Sequence, residues 1–383
     1  MNKQRFNLFY PPEYLRATAL VLIGMVYMGV YLSPSWGANV LQKAPSIAGP
    51  WIEDQSAQWF QVRENLFWAA TTPTSGWEGT FYRMVSDQGP GPVEARFVKQ
   101  ISTGQLVIAF EVAPFQERRT IMLPGDVPMD FMRIPAGTFM MGSPENERGR
   151  WQSHESPIHS VNIGYDFFMG RTEVTQAQWQ AIMGDNPSHF QPAEPLALGY
   201  HPVEQVSWND CQTFIAQLNG LGLGVFRLPS DAEWEYACRG GTQTRFFFGD
   251  SLDCPDDIEC AAGELPGNRS DYLWWAVACD RDAEGRVPRQ VARLLPNPWG
   301  LYDIYGNLAE WVEDYFHDTY VGSPTDGSPW LLENPQWDFM RVHRSGDINQ
   351  YMNQSRSAWR FHDAPDIRSF LIGVRLVLEV MDP

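Results

Sequence analysis

The chain has 383 residues, room for one large domain and a smaller one, and it is acidic: 46 Asp plus Glu against 28 Lys plus Arg give a formal charge of -18. That sign opposes nonspecific binding to nucleic acid or anionic lipid, so no nucleic-acid partner is expected. A surplus of carboxylates suits a hard cation such as calcium, and 16 Trp with 22 Phe supply large rigid contacts for a core or a binding face.

Lys3, Arg5 and Arg16 precede an apolar run from Ala17 to Leu32, and no charge returns before Lys43. A basic flank followed by an apolar run is the pattern of an export signal, which puts the remainder outside the cytoplasm: periplasmic, on the cell surface or secreted. The run is short against the roughly 17–25 residues of a bilayer span, so residues 1–38 are expected to be either a cleaved signal peptide or a membrane anchor. Residues 39–50, rich in Pro, Gly and Ala, are expected to be a linker. A small β-rich module follows over 51–125, with Ala95–Ile101 and Gln105–Val112 joined across Thr103-Gly104 as a hairpin. Pro124-Gly125 and Pro128 mark its boundary with a second domain over 130–380.

In that domain, three helices are announced by their caps. Thr175-Gln-Ala-Gln178 and Ser230-Asp-Ala-Glu233 are capping boxes, and Ser207-Trp-Asn-Asp210 is a weaker version with Asp at the third helical position. The helix after Ser207 is expected to stop at Gly220, a residue type suited to a left-handed C-terminal turn. Arg227, Glu233 and Glu235 can pair near a helix start. Cys211 and Cys238 lie in these helices and suit small buried positions. Cys254, Cys260 and Cys279 cluster in a loop-rich stretch where an oxidising compartment favours one disulfide and leaves one thiol, the pairing open. Between the helices, long segments rich in Gly, Pro, Asn and Asp need packing, side-chain hydrogen bonds or bound metal to hold them. The histidines show no metal-binding spacing; His154 and His159 suit surface or packing roles. No nucleophile elbow, phosphate loop or dinucleotide fingerprint occurs.

Six blocks in order resemble the formylglycine-generating enzyme family: Ile134–Ser143, Arg171–Trp179, Pro202–Asp210, Arg227–Gly241, Gly300–Trp311 and the closing Ile372–Val377, with Arg341–Arg360 resembling its active-site segment. The resemblance implies an α+β fold, a variant of the C-type lectin fold with little regular secondary structure, preceded here by the β-rich module. In that family a cysteine pair in the active-site segment binds copper; aligned through the arginines, those positions hold Gln350 and Ser355. Cuprous ion calls for soft thiolates, so no copper is expected and no catalytic residue is assigned. The family's calcium ligands would fall on Asp303 and Glu310 with the carbonyls of Gly306 and Leu308. A second site would use Asn268, the Arg269 carbonyl and Asp282. Calcium is therefore expected as a structural cofactor.

Residues 341–377 alternate framing residues with a mixture that has no hydrophobic period. This segment resembles that of the variable proteins of diversity-generating retroelements, which place randomised residues here on the same lectin-like fold. Every residue of that mixture fits a codon ending in C; Gln350, Met352, Gln354 and Trp359 do not and would be fixed. His343, Asp347, Ile348, Tyr351, Trp359, Phe361, His362, Ile367, Phe370 and Leu371 combine aromatic anchors with adaptable polar groups. They are expected to form a surface for a protein or other ligand. The alternative from a different class is an oxidoreductase or maturation enzyme with a repurposed active site.

Overall fold

The computed structural model describes residues 39–380 except 45–51, 54–56, 64–65, 74–80, 87–92, 95–96, 112–117, 152, 194, 251–253, 282–283, 335 and 338. The apolar segment within 1–38 thus lies outside the described residues, and so does Asp282. Among the described residues no helix is long and apolar enough to cross a membrane. The chain divides into two compact units, residues 1–114 and 115–383.

Among its described residues the first unit carries eight strands: β1 (Asn39–Ala44), β2 (Ile52–Glu53), β3 (Gln58–Arg63), β4 (Leu66–Thr71), β5 (Phe81–Ser86), β6 (Val93–Glu94), β7 (Phe97–Gln100) and β8 (Leu106–Glu111). They form two four-stranded sheets, ordered β2-β1-β5-β6 and β3-β4-β8-β7. The expected hairpin is the β7–β8 pair, with Lys99 opposite Val107 and Gln100 opposite Leu106. Two boundaries differ from the sequence expectation. Part of the expected linker 39–50 is strand β1, paired along its length with β5, because backbone pairing does not require a strongly patterned sequence.

The second difference concerns β9 (Arg118–Leu123), which the sequence placed in the small module. It pairs instead with β10 (Val127–Ile134) across a turn containing Gly125 and Asp126, so it belongs to the second unit. The unit continues through β11 (Gly137–Met141), β12 (His159–Ile163), β13 (Phe167–Gly170), α1 (Gln176–Met183), α2 (Trp208–Gly220), β14 (Phe226–Arg227) and α3 (Asp231–Arg239). It ends with α4 (Ala276–Arg281), β15 (Ala309–Tyr315), β16 (Arg341–Arg344), β17 (Arg360–Asp363), β18 (Ile372–Val374) and β19 (Val377–Glu379). A five-stranded sheet, β14-β19-β13-β10-β9, ties the unit's beginning to its end, and a four-stranded sheet, β17-β16-β15-β18, carries the C-terminal segment.

All three capping boxes form, with the side chains of Thr175, Ser207 and Ser230 each accepting from the amide three residues on, and their backbone N–H groups donating to the side-chain oxygens of Gln178, Asp210 and Glu233. Replacing such a cap costs about 1 kcal/mol, so the sequence signal matches a real local energy. Gly220 is not the left-handed residue expected: it is the last residue of α2, and the positive φ falls on Gly222. The core between α1, α2 and the sheets holds Trp179, Phe214, Phe226, Trp311 and Leu376. Cys211 and Cys238 are fully buried, and of the three clustered cysteines Cys254 pairs with Cys260 rather than with Cys279.

Buried arginines hold the irregular remainder. Arg227 grips Glu233 with two bonds of 2.7 Å, whereas Glu235 turns inward to Arg239 and Arg344. Arg344 also meets Asp231 and donates to the Trp359 carbonyl. Each guanidinium offers five donors in a planar fork, which suits loops whose carbonyls have no ladder partner.

Candidate functional site

Strand β16 lies between β15 and β17, with His343 opposite Phe361 and Val342 opposite His362. Direct cross-strand neighbours share a face, which brings His343 and Phe361 together, their rings 5.6 Å apart. Trp359 continues this row, parallel to Phe361. Trp151, from a loop about 200 residues earlier in the chain, stacks on the row: its ring lies 5.0 Å from Trp359, 5.4 Å from Phe361 and 4.8 Å from His154. On the other side His362 packs against Phe316 and Trp337.

Arg356 fixes the Trp151 loop against the C-terminal segment. Its guanidinium, wholly buried, donates to Glu147 at 2.6 Å, to both oxygens of Glu155 at 2.8 and 2.6 Å, to the Gly149 carbonyl at 2.8 Å and to the Asn353 carbonyl at 2.7 Å. Gly149 allows the approach: a Cβ there would stand 2.5 Å from that of Asn353, at a φ of +78°. The two walls leave a cleft of about 500 Å³ lined by Gly149, Arg150, Trp151, Ser153, Asn353, Gln354 and Trp359.

Burial pushes the His362 imidazole down to about 4, helped by His343 and His154 nearby, so it is a neutral ring at physiological pH. Burial also raises Asp347 to about 6, against the backbone N–H of Asn349 that donates to it at 2.7 Å.

The sequence-predicted binding residues separate into groups. His343, Trp359, Phe361 and His362 join the aromatic tier. Ile367 and Phe370 are exposed, Phe370 beside His189 and Phe190, and Tyr351 is exposed as well. Asp347 is buried. Ile348 does not belong on a surface: it is fully buried in an apolar cluster with Trp274, Cys279 and Leu294, against which Leu371 packs. Both residues lack the simple period of a helix or strand because irregular backbone carries them, so sequence pattern could not separate core from surface here. Trp151 was missed, since nothing local in the sequence ties it to the C-terminal segment, whereas His154 packs against Trp151 and Phe316 in keeping with the packing role expected of it.

Gln350 and Ser355 do converge. The position a Cβ on Gly346 would take lies 2.2 Å from Ser355 Oγ, 2.7 Å from the Gln354 carbonyl and 3.1 Å from Gln350 Oε1. Ser355 Oγ and Gln350 Oε1 are buried and have no hydrogen-bond partner among the described residues.

At the expected calcium segment, Asp303 accepts from the Ala292 amide at 2.6 Å and the Trp274 indole at 3.2 Å. Glu310 is held by Arg375, whose Nη2 lies 2.7 Å away, and by the Trp234 indole at 2.7 Å. The sequence missed Glu173, which receives the Asn307 side chain at 2.9 Å and leaves Oε2 buried without a partner. Its carboxyl is raised well above the usual range by burial and then by Asp303. Three buried carboxyl groups thus lie around the Arg375 guanidinium, with Glu173 held toward its neutral form. Among the described residues, no three His, Cys, Asp or Glu side chains converge to hold a metal by themselves. A calcium ion would therefore need the Gly306 and Leu308 carbonyls as ligands. At the second segment Asn268 precedes a 3-10 turn, and its amide donates to Asp271 at 2.8 Å.

Residues 124–380 match the sulfatase-modifying factor enzyme 1-like domain. The formylglycine-generating enzyme of Streptomyces coelicolor is 28% identical over 305 residues, covering 64% of this chain and 87% of that protein. Among solved structures, PvdO from Pseudomonas aeruginosa is similar with a TM-score of 0.56 at 28% identity, over 70% of this chain and 100% of that one. Treponema denticola variable protein 1 is similar with a TM-score of 0.55 at 26% identity, again over 70% and 100%.

Proposed function

Since the chain belongs to the sulfatase-modifying factor enzyme 1-like family, with the α+β fold of formylglycine-generating enzymes, and carries Gln350 and Ser355 at the thiol positions, we propose that it is a non-catalytic ligand-binding member. The observation that carries this proposal is the pair of oxygens, Gln350 Oε1 and Ser355 Oγ, standing together where that chemistry calls for two thiolates. Amide and hydroxyl oxygens are hard neutral donors and do not hold cuprous ion. Recognition uses the face built from the 343–371 segment and Trp151. The similarity to the Treponema variable protein supports a second, finer reading in which the exposed positions of this segment, Tyr351, Ile367 and Phe370, are diversified as in a retroelement receptor. Export through the N-terminal segment would present this face outside the cytoplasm to a protein or other surface ligand.

The purified full chain, supplied with copper, oxygen and a cysteine-containing peptide, is expected to give no aldehyde product. It is expected to retain discrete members of an immobilised peptide and glycan panel, and Trp151→Ala to lose them with an unchanged melting curve. Copper-dependent turnover, or retention unaffected by Trp151→Ala, would overturn the proposal. Gln350→Cys combined with Ser355→Cys is expected to gain stoichiometric cuprous-ion binding that the parent lacks.

Calcium is proposed as a structural ion at Asp303, Glu310 and the Gly306 and Leu308 carbonyls. Binding there would release the proton that burial holds on Glu173, and Asn268 with Asp282 would hold a second ion. A ligand bound only by the folded state stabilises it by about 2.7 kcal/mol at a hundredfold excess over Kd. Chelation is therefore expected to lower Tm by several degrees in the parent and by less in Asp303→Ala, which keeps only the second site. Equal Tm with calcium and with chelator would remove calcium from this site.

A further inference from the structure

Resting on the binding reading above, we infer that the cleft between the Trp151 loop and residues 353–359 takes a carboxylated sugar ring. The cleft combines a flat aromatic face with donors that lack acceptors. Trp151 is 38% exposed and braced from behind by Trp359 and Phe361, which leaves a rigid indole surface for the apolar face of a ring. Ser153, Asn353 and Gln354 stand around it on the same cleft. Their hydroxyl and amide groups both donate and accept, as neighbouring sugar hydroxyls do.

Two further donors set the charge of the ligand. Trp359 lines the cleft and is 4% exposed, yet its buried indole N–H has no acceptor. The Arg150 Nε–H is likewise buried and unpartnered, and Arg150 forms no ion pair among the described residues. Other arginines nearby are committed: Arg356 to Glu147 and Glu155, Arg148 to Asp256. A buried donor without an acceptor is costly, and one carrying charge more so. In a chain of charge -18, Arg150, with its Nε–H unpartnered, and Trp359 line one cleft and together favour a carboxylate locally against the overall field, through charge-assisted hydrogen bonds. The donors alone would suit any carboxylate. The broad exposed Trp151 face and the surrounding amides favour one mounted on a polyhydroxylated ring.

The test uses the full chain and three small probes: glucuronate, glucose, and glutamate blocked at both termini. Binding is followed by titration calorimetry and by the indole N–H resonance assigned to Trp359. Glucuronate is expected to bind about 10-fold or more tightly than glucose, the discrimination of a charge-assisted bond, and to move the Trp359 resonance. Arg150→Gln is expected to bring glucuronate down to the level of glucose without changing Tm. Trp359→Phe, which keeps the ring and deletes the N–H, is expected to weaken glucuronate several-fold. Equal affinity for glucose and glucuronate, absence of binding by either, or insensitivity to Arg150→Gln would overturn the inference. Tighter binding of blocked glutamate would replace the sugar with an acidic peptide. Any of these results beside Trp151-dependent retention on the wider panel would leave the recognition function standing and remove only this ligand.

Discussion

Arg356→Ala is expected to destabilise the second unit by about 3–5 kcal/mol at neutral pH, the cost of leaving a buried charge without its partner. The guanidinium is wholly buried between Glu147 and Glu155 and also binds the carbonyls of Gly149 and Asn353. Its removal takes the ion pair from Glu147, leaves Glu155 to the Ser143 hydroxyl and the Trp151 backbone N–H, and unties both walls of the cleft. Glu147 is already held above the usual carboxylate range by burial, with Arg356 the chief opposing influence. In the variant Glu147 loses that opposing influence, so its folded-state pKa rises further above that of the unfolded chain. The folded variant then binds more protons than the unfolded one, and its stability falls as pH rises through that window. The deficit relative to the parent should therefore be largest at neutral pH and shrink toward pH of about 4, which urea titrations at the two pH values would measure. Limited proteolysis should cut within 147–155 in the variant first. A deficit under 1 kcal/mol, or one independent of pH, would mean that Arg356 does not clamp the loop.

Arg375→Met is expected to be at least as damaging, by about 3–5 kcal/mol. Arg375 binds Glu310 through Nε and Nη2, donates to the Gly170 and Tyr302 carbonyls, and faces the charges of Glu173 and Asp303. It links β18–β19 to the loop after β13 and to β15, so its loss strikes the junction of both sheets. Methionine preserves much of the volume, which separates the electrostatic loss from a cavity. Adding Glu310→Gln should recover part of the loss, because one orphaned charge disappears while the amide can still accept from the Trp234 indole. Chemical denaturation of the two single variants and the double variant measures that coupling. Strict additivity would show that the pair does not interact as the geometry indicates.

The fold was legible where local energies act. The capping boxes at Thr175, Ser207 and Ser230 each join residues three apart, and each appears as read. Boundaries were less legible. β9 carries no mark of the unit it joins, and its partner β10 follows only across a turn. Burial in irregular segments was least legible: Ile348 and Phe370 lie in one mixed stretch, yet one is sealed in an apolar cluster and the other is exposed.

By itself the sequence determined the capped helices, the β7–β8 hairpin, the acidic charge and the absence of thiols at positions 350 and 355, because each depends on residue identity or on neighbours a few positions apart. The tertiary structure alone decided that Trp151 completes the aromatic face, that Cys254 pairs with Cys260, and that Glu173 joins Asp303 and Glu310. The contacts from Arg356 to Glu147 and Glu155 span 209 and 201 residues of chain. Such a contact is selected by the fit of a buried guanidinium among carboxylates and carbonyls, and a periodicity read along the chain carries no trace of it.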